Sequence, residues 1–135
     1  MVIRTGIDII EVERIREAIQ KLGDNFLHKI YTEAEIEYCN KSNTMKYQHF
    51  AARFAAKEAV IKAISEYIND SKDSLWKCIE IKNKECGKPE VNVENLLKKS
   101  AKTVDNLSLK MIDISISHIK EYAVASAVAI FEGES

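Results

Sequence analysis

The sequence predicts an α+β fold, a small antiparallel sheet packed on one long central helix, in a single domain spanning residues 1–135. Three observations predict it. Chain breakers are sparse, four glycines and one proline, which favours long elements over a many-turned β-sandwich. Residues 45–69 carry the strongest helical periodicity. The second half is β-rich, with alternation of period two at Ile79-Glu80-Ile81-Lys82 and strand-like runs over 107–117 and 122–131.

In chain order, Val2 to Ile10 reads as a strand ending near Asp8. Val12, Ile15, Ile19 and Leu22 recur at helical spacing over 11–22, and Gly23 stops that helix. Thr32-Glu33-Ala34-Glu35 fits a capping box, flanked by Tyr31 and Ile36 for a hydrophobic staple, so a short helix follows to about Asn40. Along 45–69, at about 100° per residue, Phe50, Phe54, Ile61, Ile64 and Ile68 form one stripe and Ala52, Ala56, Ala59 and Ala63 a second. Such small residues let another element approach closely. Gly87-Lys88-Pro89 reads as a turn and Val91-Asn92-Val93 as a short strand. A helix over 94–106 would point Leu97, Ala101 and Val104 inward. The strand over 107–117 puts Ile112, Ile114 and Ile116 on one face, shared by parity with His118, and 118–121 connects to the last strand. There Ala123, Ala125, Ala127 and Ala129 form a natural seat for the alanine stripe of the long helix.

Composition narrows the function. The chain is 46% hydrophobic and 30% charged with a net charge of −1, which excludes a disordered chain and disfavours a globally basic nucleic-acid binder. Three cysteines without C-x-x-C spacing do not support a zinc ribbon or a redox dithiol. They read as reduced thiols of a cytoplasmic protein. Asp8 comes too early for a signal-peptide apolar region, and no run approaches the roughly 20 apolar residues of a membrane span. A P-loop, a dinucleotide fingerprint, H-E-x-x-H and G-x-S-x-G are all absent, so any phosphate site must be built from side chains.

Arg53, Lys57, Glu58 and Lys62 are the charged residues of the long helix. Exposed i,i+4 pairs are the ordinary explanation, with Glu58 and Lys62 in the favourable order. Lys57 strains it, because it interrupts an apolar stripe where an ammonium needs a partner. Three cations and one carboxylate suit a polyphosphate with a bound metal. Asp8 alone reads as a helix cap or turn residue, and meeting Glu58 in space would make the pair a Mg²⁺ site. His28 and His49 read as surface or helix-end residues, and a lone His118 at a strand end is more often structural than catalytic.

Three blocks resemble holo-acyl-carrier-protein synthases, the short bacterial type of 4′-phosphopantetheinyl transferase. They are Gly6-Ile7-Asp8-Ile9-Ile10-Glu11-Val12-Glu13-Arg14-Ile15, the stretch Phe50-Ala51-Ala52-Arg53-Phe54-Ala55-Ala56-Lys57-Glu58-Ala59-Val60-Ile61-Lys62-Ala63, and Ile114-Ser115-Ile116-Ser117-His118 with Tyr122-Ala123-Val124-Ala125. Gly87-Lys88-Pro89 is a weaker fourth. Ser65-Glu66 stands where members often carry glycine, and Ile119-Lys120-Glu121 where more polar or glycine-rich residues are common.

The resemblance implies that fold and a reaction: transfer of the phosphopantetheine arm of coenzyme A to a serine of apo-acyl carrier protein, releasing adenosine 3′,5′-bisphosphate, in fatty acid biosynthesis. It implies Asp8 and Glu58 as ligands of Mg²⁺, with Mn²⁺ an alternative. Lys62 and Glu58 are the expected catalytic residues. Arg53, Lys57, Lys62, Gly87, Lys88, Pro89, Ser117 and His118 are the expected coenzyme A contacts. Arg14, with Arg16 and Lys21 as weaker neighbours, is expected to dock the acidic carrier protein. A cytoplasmic homotrimer with sites between subunits is expected, with no nucleic acid or membrane partner. Two other readings compete: a regulatory module that binds nucleotide or metal without turnover, and an oligomerisation domain in which Lys57 snorkels to the surface and Asp8 caps a helix.

Overall fold

The computed structural model describes residues 1–99 and 106–133. A three-stranded antiparallel sheet is ordered β1-β5-β4, from β1 (Val2–Glu11), β4 (Leu107–His118) and β5 (Tyr122–Gly133). A separate hairpin pairs β2 (Glu80–Asn83) with β3 (Pro89–Asn92). Among the described residues the helices are α1 (Val12–Leu22), α2 (Asp24–Ile30), α3 (Glu33–Asn40), α4 (Lys46–Ile64), α5 (Lys72–Cys78) and α6 (Glu94–Lys99).

Helix α4 is the axis of the molecule. It lies across β1 and β5 and is buried on nearly every side, Lys62 being an exception. The two alanine rows expected to meet, 52/56/59/63 on α4 and 123/125/127/129 on β5, are all buried. Close approach is most acute at Gly6, opposite Ala127, where a Cβ would lie 1.9 Å from the Ala59 carbonyl oxygen. Any larger residue there would push β1 off the helix. Even-numbered residues of β1 therefore face α4 and carry Asp8 towards it, while Ile3, Ile7 and Ile9 stand on the opposite, exposed face.

Several boundaries differ from expectation. Strand β1 continues past Asp8 to Glu11, because Ile10 still faces the helix and pairs with Ala123. Helix α4 stops at Ile64 rather than near residue 69, although Tyr67 and Ile68 remain buried beyond its end. The seven-residue helices α2 and α5 were not anticipated, being too short to show a period. In α6 the inward residue is Leu96, fully buried, while Leu97 is half exposed; Ala101 and Val104 lie outside the described residues. His118 ends β4 instead of starting the connection.

Two local predictions match the structure in detail. Thr32 and Glu35 form both bonds of the capping box. The β2–β3 connection closes through Gly87 N–H donating to Lys84 O at 2.8 Å, with Gly87 at φ 91°, a conformation that favours glycine.

Candidate active site

The charged residues of α4 divide into three environments. Lys57 is fully buried. Its Nζ lies 2.6 Å from Glu35 Oε1 and donates to the carbonyls of Ile30 and Trp76, both at 2.8 Å. Three N–H bonds are all that an ammonium has. Glu35 is engaged through both oxygens: Oε1 also accepts from Thr32 N, and Oε2 accepts from Ile81 N. Burial pushes the Lys57 ammonium down and Glu35 opposes that shift. The expectation that Lys57 holds a coenzyme phosphate is therefore corrected: it has no donor left to give, and it ties α4 to α3 and to the ends of α2 and α5. Nor does it snorkel to the surface.

Arg53 lies one turn earlier and is 5% exposed. Its guanidinium stacks on Tyr38, 3.9 Å from the ring centroid, yet its buried Nε has no partner. It faces a cavity of about 230 Å³ that also meets His49, Gly87, Pro89 and His118. Four expected coenzyme contacts, from three distant stretches of sequence, thus share one cavity. The remaining member of the turn, Lys88, points its ammonium to Asp113 at 3.5 Å. Ser117 alternates with His118 and is exposed on the opposite face of β4.

The third environment is the Asp8 end of the sheet. Lys62 Nζ donates to Ile7 O at 2.9 Å and to Asp8 Oδ1 at 3.2 Å. Glu58, one turn from Lys62, is paired through Oε1 with Lys72 Nζ at 2.6 Å. Asp8 thus reaches α4 through Lys62, one turn from Glu58, and lies inside β1 rather than at a helix cap; Glu11 is the N-cap of α1 and makes no side-chain cap bond. Both carboxylates are mostly buried, with side-chain exposures of 17% and 11%. Two such carboxylates are a donor set that fits Mg²⁺, which takes one or two from protein and completes its shell with phosphate oxygens and water.

Two functional candidates escaped the sequence reading. Lys72, the partner of Glu58, sits on the unanticipated helix α5. His49 stands at the N-terminal end of α4, the helix-end placement expected, but it also lines the Arg53 cavity, its ring 5.4 Å from Tyr38 and 6.1 Å from His118. The i,i+4 spacing of His49 and Arg53 was the available signal. On α1, Arg14 is well exposed and 3.5 Å from Glu11, while Arg16 is clasped by Glu13. The surface there is mixed in charge rather than uniformly basic.

Known proteins share both the chain and its shape. The sequence profile described as the 4′-phosphopantetheinyl transferase superfamily matches residues 4–127. The chain belongs to that superfamily, in its holo-[acyl-carrier-protein] synthase family. The holo-[acyl-carrier-protein] synthase of Koribacter versatilis is 42% identical over 129 residues, covering 95% of this chain and 98% of its own. That of Chlamydia trachomatis serovar L2 is 47% identical over 125 residues, covering 92% and 96%. The crystal structure of a Bacillus anthracis holo-(acyl-carrier-protein) synthase in complex with coenzyme A (3′,5′-ADP) superposes with a TM-score of 0.69 at 34% identity, covering 93% and 94%. The expected fold and enzyme class, a phosphopantetheinyl transferase, are met. Among the described residues no helix is long and apolar enough to cross a membrane.

Proposed function

We propose that this transferase, one domain over 1–135, moves the 4′-phosphopantetheine arm of coenzyme A to a serine of apo-acyl carrier protein in fatty acid biosynthesis, releasing adenosine 3′,5′-bisphosphate. The observation that carries this reading is the buried Arg53 guanidinium with an unpartnered Nε, facing a cavity shared with His118, Gly87 and Pro89. A buried cation without a counter-charge is costly, and an anionic ligand removes that cost. Lys88 would join the ligand by leaving Asp113. Ser117, on the outer face of β4, would touch coenzyme held against a neighbouring copy.

Asp8 and Glu58 would hold Mg²⁺, or Mn²⁺ through the same oxygen donors. The metal, when bound, supplies positive charge that reduces repulsion between the attacking oxygen and the phosphate oxygens. Lys62 has two of its three N–H bonds engaged and offers the third to charge developing on the leaving phosphate. The serine oxygen forms a bond to phosphorus as the pyrophosphate P–O bond breaks, and that electron pair leaves with the bisphosphate. We assign the serine proton to Glu58.

Glu58 and Lys62 lie about 140° and 180° around α4 from Arg53. One protomer therefore turns the cavity and the carboxylates to different sides of its helix, and a coenzyme touching both would bridge two copies. Ile3, Ile7 and Ile9 of β1 and Val128 of β5 leave an apolar sheet face uncovered, which favours such assembly. We assign a homotrimer with sites between subunits. Arg14 is the docking contact for the acidic carrier protein. The free thiols Cys39, Cys78 and Cys86 suit the reducing cytoplasm.

The test is intact-protein mass spectrometry of apo-acyl carrier protein incubated with the enzyme, coenzyme A and Mg²⁺, with and without a chelator. A mass gain of one phosphopantetheine arm only when metal is free supports the reading. Coenzyme binding without any mass gain, across several carrier proteins, would make the protein a binding module. Sedimentation of the same sample reads the trimer.

A further inference from the structure

The Arg53 cavity contains a group to which the transferase reading assigns nothing. His49 Nδ1 is buried without a hydrogen-bond partner, as is Arg53 Nε one helical turn away. Both side chains rest on the ring of Tyr38, whose hydroxyl accepts from Asn83 Nδ2 at 2.7 Å and so fixes that wall. His118 faces His49 edge to face across the cavity. It is already anchored, since its Nδ1 donates to Gln48 Oε1 at 3.0 Å. Two unsatisfied buried nitrogens, on residues one helical turn apart that both line the cavity, are costly to the empty protein. An anion seated against Tyr38 would give both a partner once the two side chains turn towards it.

We propose that His49 is a further coenzyme-binding residue, which together with Arg53 seats the phosphomonoester of coenzyme A and takes up a proton when that dianion arrives. The inference rests on the transferase reading for the identity of the ligand. Its logic is charge matching. Coenzyme A carries its pyrophosphate as two singly charged diester-like groups and its 3′-phosphate as a monoester, close to doubly charged at neutral pH. Arg53 supplies one positive charge permanently. A second must come from a group that can be neutral in the empty cavity and charged in the filled one.

His49 suits this role. The titratable and charged groups facing it are Arg53 from α4, His118 from β4 and Tyr38 from α3; Lys88, near the cavity mouth, is turned to Asp113. Burial, then Arg53 and His118, hold its imidazole below the ordinary value of 6.5. In the empty protein it is therefore neutral at pH 7. A dianion at hydrogen-bond distance reverses that balance by favouring the charged form. Proton uptake makes affinity for the monoester rise as pH falls through the neutral range, by linkage.

The experiment is calorimetric titration of the wild-type enzyme and His49→Gln with coenzyme A and with 3′-dephospho-coenzyme A. It runs at pH 7.0 in two buffers of different ionisation heat, so that protons taken up per ligand are counted. His49→Gln is expected to bind coenzyme A about tenfold more weakly and to take up about half a proton or more less per ligand. Dephospho-coenzyme A should bind both proteins alike. Equal affinity and equal proton counts for both proteins with coenzyme A would overturn the role of His49 and leave the transferase reading standing. No binding of coenzyme A to the wild type would overturn both. Nuclear magnetic resonance of the wild-type histidine rings gives a reading that does not depend on the variant folding. Protonation of His49 on adding coenzyme A supports the proposal, and an unchanged neutral ring in the complex sinks it.

Discussion

Helix α4 carries two buried cations one turn apart, Lys57 and Arg53, and their surroundings differ completely. Lys57 is fully buried and spends every N–H on Glu35 and on two backbone carbonyls. Arg53 is nearly as buried but leans on an aromatic ring and keeps an unpartnered nitrogen beside a cavity. Burial of a charge by itself therefore says little about function. The distinction is whether the protein supplies the counter-charge: for Lys57 it does, and the cation holds elements together, while for Arg53 it does not, as the proposed coenzyme contact requires.

The largest expected effect is on the sealed side. Lys57→Met strands the Glu35 carboxylate in the core and should cost about 3–5 kcal/mol. Thermal melting should fall by roughly 10 °C or more. A melting temperature within a few degrees of wild type would show that Glu35 finds other partners. Glu58→Gln should fold normally and reduce metal-dependent transfer by about 10²-fold or more, read by carrier-protein mass gain. Transfer at the wild-type rate would remove Glu58 from the chemistry.

On the open side, Arg53→Met should change stability by no more than about 1 kcal/mol, since no hydrogen bond is lost. It should raise KM for coenzyme A about 10- to 100-fold, the range of a charge-assisted bond. A loss of stability as large as that of Lys57→Met, with KM unchanged, would erase the contrast between the two cations. Arg14→Glu is a smaller change. It should slow transfer to carrier protein several-fold, roughly, and less so at high salt, while coenzyme A affinity stays constant; equal rates for both proteins would take Arg14 off the docking surface.

The smallest effect is a pH dependence of the empty protein. The folded value of His49 lies below its ordinary 6.5, so folding disfavours the charged ring. The stability it contributes is complete above 6.5 and is lost as pH falls from there through the lowered value. Thermal melts of wild type and His49→Gln should converge as pH drops across that window. Parallel curves would mean that His49 is not held neutral.

These two regions also show why some of the site was readable and some was not. Arg53, Gly87, Pro89 and His118 could be nominated from their blocks, and α4, β4 and the capping box followed from periodicity and spacing. Lys57 was assigned to phosphate because a lysine in an apolar stripe looks the same whether its partner is a ligand or an internal carboxylate. That carboxylate, Glu35, already had a visible task in the capping box, which concealed its second oxygen. Lys72 was hidden by the brevity of α5. His49 was hidden by isolation: one histidine just before a recognisable block has no periodic companion until Tyr38 and His118 fold against it.

In the pairing of β4 with β5, Leu109 sits opposite Phe131 and Met111 opposite Ile130, so one residue between them has no opposite number. That surplus residue acts on the rest of β4 as an insertion acts on a reading frame. Upstream of it odd-numbered Leu109 lies opposite buried Phe131, while downstream even-numbered Ile112 to His118 lie opposite the buried alanines. His118, paired with Ala123, therefore reaches the cavity, and Ser117, paired with Val124, faces away from it, while the residues before Lys110 follow the opposite parity. Deleting Lys110 would leave the pairs on both sides in place and remove only the bulge, so the spare residue is what lets the two halves of one strand present opposite parities to the same partner.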